Sequence, residues 1–154
     1  MTGYALSAGQ VRTNLKSYRS DGGATMIENL NEEQLEGILE AIPVEISFVD
    51  ENGLVKFWNK HETRIFKRPI SVIGKSVQNC HPKHSLGKVN QILSDFKSGR
   101  RDSAEFWINL GERKIYIRYF AVWDKAGRYL GTLEATQDIT EIKRIEGEKR
   151  LLEY

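Results

Sequence analysis

The chain has 154 residues, of which 40% are hydrophobic and 29% charged, and its formal net charge is +2. That length supports one folded core rather than two, and the apolar content is that of a globular protein, not a disordered or fibrous one. A charge so near zero, with Lys and Arg interspersed among Asp and Glu, argues against a nucleic-acid surface; only Arg12, Lys16 and Arg19 cluster without acidic neighbours, as a solvated helix face does. The single cysteine, Cys80, excludes an internal disulfide and fits a reducing compartment. No apolar run approaches the roughly 18 residues of a membrane span, and the N-terminus lacks the apolar core of a signal peptide, so the expectation is a cytoplasmic protein with no membrane partner.

Taken in chain order, Ser7 and Gln10 between Leu6 and Val11 read as a capping box with a hydrophobic staple, opening a short helix from about Ala8 to Arg19. Ser20-Asp21-Gly22-Gly23 ends it. The same device recurs at Asn31 and Gln34, and Leu35, Ile38, Leu39 and Ile42 then fall on one helical face up to Pro43. Val44, Ile46 and Phe48 alternate with Glu45 and Ser47 as in a half-buried strand, and Asp50-Glu51-Asn52-Gly53 supplies a tight turn into a second strand, Leu54 to Trp58. Asn59 is placed to cap a short helix from Lys60 to Phe66, followed by brief helical pieces punctuated by Pro69 and Gly74.

Leu86, Val89, Leu93 and Phe96 recur at helical spacing between about Lys83 and Ser98, with Gly99 at the C-terminal cap. Three strands follow: Ser103 to Asn109, Arg113 to Trp123 and Arg128 to Asp138, and their short loops require antiparallel neighbours. Ile139 to Tyr154 reads as a charged helix with Ile142, Ile145 and Leu152 at coiled-coil-like spacing and Lys149 in the seam. The compact solution is an α+β fold: a five-stranded antiparallel sheet with helices on one face, flanked by an N-terminal and a C-terminal helix.

This order, with its landmarks, resembles a PAS domain over roughly Asn31 to Tyr154. The segment from Ile46 to Val55 is similar to the opening PAS hairpin, and Trp58-Asn59-Lys60, Val72-Ile73-Gly74-Lys75-Ser76 and His81-Pro82 fall where the family places comparable pieces. Leu130 to Glu141, ending in Asp138-Ile139-Thr140, resembles the last PAS strand and its exit into a signalling helix, where Glu141 three residues after Asp138 also suits a helix start. Asn79-Cys80-His81-Pro82, the run Asp102 to Asn109 and Gly147 to Leu152 further resemble PAS modules at the C-terminus of bacterial and archaeal proteins that carry a domain of unknown function and a hemerythrin-like domain. The resemblance implies a flanking helix and linker over residues 1–30, a PAS domain over 31–140 and a signalling helix over 141–154. It implies a sensory or interaction module in signal transduction, cytoplasmic and homodimeric, that binds a small ligand or a partner and relays a conformational change to an effector domain.

Enzyme chemistry has no signature here: there is no phosphate-binding glycine loop, no nucleophile-triad motif and no HExxH. Cys80, His81 and His84, with His61 upstream, are suitable metal ligands by type, but their spacing matches no standard zinc motif. Asn79-Cys80 superficially resembles the reactive pair of flavin photosensors, yet His81-Pro82-Lys83-His84 replaces what should follow it. The family also includes heme sensors that hold iron through a histidine on or before the long helix, and that resemblance implies His84 first and His81 second. PAS architecture implies a cavity between the sheet and the long helix, lined by the inward members of Trp58, Phe96, Trp107, Ile117 and Tyr119. Alternation along Arg113 to Trp123 leaves the inward face open, so Arg118 either anchors an anionic ligand inside or lies outside on a dimer surface.

Overall fold

The computed structural model describes residues 26–151. The helix expected over Ala8 to Arg19 lies outside them. Among the described residues two α-helices, α1 (Glu32–Ala41) and α2 (Leu86–Lys97), accompany five strands: β1 (Glu45–Asp50), β2 (Val55–Trp58), β3 (Ser103–Leu110), β4 (Arg113–Trp123) and β5 (Tyr129–Asp138). The strands form one antiparallel sheet in the order β2-β1-β5-β4-β3. Three hairpins account for most neighbours, and the remaining contact, β1 on β5, joins the two ends of the domain. The expected α+β architecture is therefore the one observed.

Local chemistry explains the element starts. Asn31 Oδ1 accepts from Gln34 N at 2.8 Å while Gln34 Oε1 accepts from Asn31 N at 3.0 Å, the reciprocal capping pair that the sequence announces for α1. In the β1–β2 turn Asp50 Oδ1 accepts from Asn52 N and Leu54 N, both at 2.9 Å, and Gly53 takes the positive φ of 78° that closes it. Gly131 on β5 is required for closeness: a Cβ there would stand 2.1 Å from the Val49 carbonyl and 2.8 Å from the Phe48 ring.

Among the described residues, two expected helices do not form. Lys60 has φ 52° and the chain from Lys60 to Phe66 runs through turns, because the Asn59 side chain is engaged elsewhere and caps nothing. Its Nδ2 donates to Leu39 O at 2.7 Å and Val44 O at 3.0 Å, and its Oδ1 accepts from Ile46 N at 2.7 Å, tying the end of α1 to β1. After β5, Asp138 Oδ1 accepts from Thr140 N in a side-chain turn, and Thr140 Oγ1 accepts from Lys114 N at 2.8 Å, so the exit is pinned to β4. Beyond it the described residues hold only the 3-10 turn Ile142–Arg144, and Gly147 takes φ 66°. Ile142 and Ile145 stay exposed, and an amphipathic segment this short forms no stable helix without a surface to cover its stripe.

The sheet inverts a simple expectation about faces. Register places Glu45, Ser47, Thr132, Glu134 and Thr136 on the side covered by α2 and the 59–85 connection, together with Val49, Ile115, Ile117 and Tyr119. Ile46, Phe48 and Leu133, the apolar residues of the alternation, face the other way and are half-buried. The covered core is thus part apolar, with Phe96, Ile115 and Val55 fully buried, and part polar.

Candidate functional site

A cavity lies between the sheet and α2, and the space a water centre can occupy within it is about 20 Å3. Val89, Ile92 and Leu93 of α2 form one wall, with Val49 and Val77 beside them. Its polar side is supplied by Ser47 of β1, Tyr119 of β4, Thr132 and Glu134 of β5, and Arg68 and His81 of the connection before α2. Neighbouring strands bring Ser47 opposite Glu134 and Tyr119 opposite Glu134, so three polar side chains stand in one row across β1, β5 and β4.

Arg68 and Glu134 are the charges of this row. Arg68 Nη2 donates to Glu134 Oε1 at 3.0 Å and Oε2 at 3.1 Å, and the two side chains are only 10% and 11% exposed. Both carboxylate oxygens therefore sit on one guanidinium nitrogen, and the buried Arg68 Nε has no hydrogen-bond partner. Burial, with the Glu134 carboxylate and its hydrogen bond adding to it, pushes the Tyr119 phenol far above its ordinary range, so Tyr119 is a neutral donor at any physiological pH. Phe106 of β3 stacks on the Tyr119 ring at 6.0 Å between centroids.

His81 is shifted the other way: burial lowers its pKa, Arg68 lowers it further, and Glu134 only partly opposes them. The folded protein thus holds a proton on His81 less readily than the unfolded chain does. Below the ordinary value of 6.5 the unfolded state binds more protons, and stability falls as pH falls. Unfolding free energy is expected to drop between about pH 7 and about pH 5, and His81→Gln to flatten that part of the curve in urea titrations at fixed pH. A variant with an unchanged slope would place the titration on another group.

The residues singled out from sequence separate into three groups. Tyr119 and His81 line the cavity. Phe96, Ile117 and Trp58 are buried but belong to the packing around it; Trp58 joins Val49, Val55 and Val77 in one cluster and stacks on His61 at 6.3 Å. Trp107, Arg118 and His84 do not reach it. Trp107 pairs with Tyr116, and Arg118 shares the Tyr116 side of β4, so both lie on the sheet face opposite Ile117 and Tyr119. Trp107 is 59% exposed there, and the Arg118 guanidinium lies 5.0 Å from the Tyr116 ring centre and 5.9 Å from that of Phe120, on the outer face of the sheet.

His84 is exposed in the 3-10 turn Lys83–Ser85. With it outside, only His81 could approach a heme iron, and the small cavity, lined by the Arg68–Glu134 pair, does not fit a porphyrin. Among the described residues no group of three or more His, Cys, Asp or Glu is arranged to hold a metal ion. Cys80 is a half-buried free thiol packed against the Val77 cluster.

Comparison with known proteins gives this geometry its context. A family model described as a PAS domain matches residues 35–140, well over half of the chain. The chain belongs to the PAS domain family. The C-terminal domain of a Streptococcus mutans protein is 33% identical, with 76% of this chain and 91% of that one covered and a TM-score of 0.71. The PAS domain of Bordetella pertussis BvgS is 18% identical over 73% of this chain and 90% of its own, with a TM-score of 0.55. A Colwellia psychrerythraea PAS domain is 17% identical over 71% and 97%, with a TM-score of 0.53, and like BvgS it shares the fold. No curated protein sequence matches the chain. Among the described residues of this PAS domain, no helix is long and apolar enough to cross a membrane.

The sequence reading missed Arg68, Glu134, Ser47 and Thr132. For the strand residues a signal existed, since Thr132, Glu134 and Thr136 alternate strictly with Leu133 and Ala135. For Arg68 there was none: it sits in an irregular connection, and its partner is 66 residues away.

Proposed function

We propose that this PAS domain is a sensory module that takes a small ligand into the cavity under α2 and converts the change into a shift of α2 against the sheet. One observation carries the reading: a cavity with an apolar wall on α2 and a polar row on the sheet is lined by Arg68, whose buried Nε has no acceptor. The relay follows from connectivity. Glu134 and Tyr119 lie on the strands whose far ends hold the Thr140–Lys114 contact, so strain in this pair of strands reaches the chain exit.

The module invokes no catalytic residue. Pairing of two copies over the outer sheet face, where Trp107 is exposed beside Tyr116, and relay to an effector domain belong to the same reading. So does a place at the C-terminus of a larger protein beside a domain of unknown function and a hemerythrin-like domain; the Streptococcus mutans relative is itself described as a C-terminal domain. A fragment library followed by amide NMR tests the ligand reading. The expected hits shift Tyr119, Thr132 and Glu134 saturably, leave Trp107 on the outer sheet face unmoved, and raise the melting temperature. A folded protein in which no library member moves those cavity amides would end the proposal.

A further inference from the structure

We infer that the ligand of this cavity is an uncharged small molecule with one strong hydrogen-bond acceptor, a carbonyl or its equivalent, directed at Arg68 Nε and an apolar body laid against α2. This rests on the ligand-binding reading above and adds the chemical class.

Two arginines near the site invite an anion, yet each already faces a carboxylate: Arg68 faces Glu134 at 3.0 Å, and the deeper Arg64 faces Glu45 at 3.8 Å. Tyr119 is neutral, and His81, disfavoured as a cation by burial, adds no charge at neutral pH. The buried site is balanced. An entering anion would place a second carboxylate beside Glu134 around one guanidinium, and an entering cation would have to share Glu134 with Arg68; either leaves a buried charge without a full partner.

An uncharged acceptor meets neither obstacle. Nε is unpartnered and closed off from the open space while Nη2 holds Glu134, so a carbonyl oxygen that enters as α2 moves outward can take the Nε proton and leave the ion pair intact. The opposite wall, Val89, Ile92 and Leu93, offers only apolar surface to the rest of the molecule. The open space is near that of a single water, so a ligand with an acceptor and an apolar body enters only as α2 moves outward, the motion a sensor requires.

Three nearly isosteric probes separate the possibilities: propionamide, propionate and propionamidinium, each titrated into the protein with amide NMR as the readout. Propionamide is expected to shift Tyr119, Thr132 and Glu134 with a dissociation constant at least about ten-fold below those of both ions. Glu134→Gln keeps the shape and removes the countercharge, so in a folded variant the preference should move to propionate by about ten-fold or more. If propionate or propionamidinium binds the wild-type protein as well as the amide, the ligand class is wrong while the cavity reading stands. Saturable shifts from none of the three overturn both. A folded Glu134→Gln variant that keeps the wild-type preference overturns the charge-balance argument, and if that variant does not fold, the wild-type comparison decides alone.

Discussion

Arg64→Ala is expected to lower the unfolding free energy by about 3–5 kcal/mol, a large part of the total stability of a domain this size. Arg64 is 3% exposed, and its guanidinium spends every nitrogen on the fold. Nη1 donates to Ile46 O and Asn59 O, both at 3.0 Å; Nη2 donates to Ser47 Oγ at 3.0 Å; Nε donates to Phe66 O at 3.3 Å. Those acceptors belong to β1 and to the irregular connection that follows β2, so one side chain fixes the loop that carries Arg68 toward the cavity. Glu45 stands 3.8 Å away and is itself buried, held otherwise by the Ile65 amide at 2.5 Å. Removing the arginine leaves the Asn59 and Phe66 carbonyls and the Ser47 hydroxyl short of a donor, and Glu45 without its countercharge, in a place water reaches poorly. Arg64→Lys keeps the charge but not the planar fork, and it should recover less than half of the loss. Urea unfolding followed by circular dichroism measures both, and an Arg64→Ala protein within about 1 kcal/mol of wild type would show that the network is decoration.

The same residue marks the limit of what the sequence discloses. The hairpins, the α1 capping box and the helical stripe of α2 are local devices, each written within a few consecutive residues, and the structure forms all of them. Asn59, Arg64 and Arg68 act over distance. Asn59 reads locally as a helix cap, yet its amide joins Leu39, Val44 and Ile46, and the helix it would have started does not form. Arg64 and Arg68, four apart, have the spacing of a solvated helix face, and only the folded sheet supplies the buried carboxylates that claim them.

The inner face of the sheet was partly legible for a related reason. Alternation along β1 and β5 identifies two faces but not which one the helices cover, and the natural assumption puts Ile46 and Phe48 inside. The fold puts Glu45, Ser47 and Glu134 there instead, because Arg64 and Arg68 arrive from the connection to pair with them. A polar parity covered by a helix violates the usual preference of cores, and such violations concentrate where a protein uses its interior. The candidate site lies at this one.

Arg68→Met and Glu134→Leu should each cost about 3–5 kcal/mol alone, whereas the double variant should lie within about 1.5 kcal/mol of wild type. The single changes strand a charge that is about nine-tenths buried: Glu134 beside Tyr119 in the first, Arg68 beside His81 in the second. The double change removes both charges from the row and leaves apolar side chains of similar volume against Val77 and Leu93. Urea unfolding of the four proteins closes the cycle. Additive losses would mean that the two side chains stabilise the fold independently, and the pair would then be no coupled unit. The expected non-additivity has a functional counterpart, because the double variant keeps a packed cavity but offers no guanidinium to a ligand acceptor. A protein close to wild type in stability, yet unresponsive to any molecule that shifts the wild-type cavity amides, would separate what Arg68 does for binding from what the ion pair does for folding.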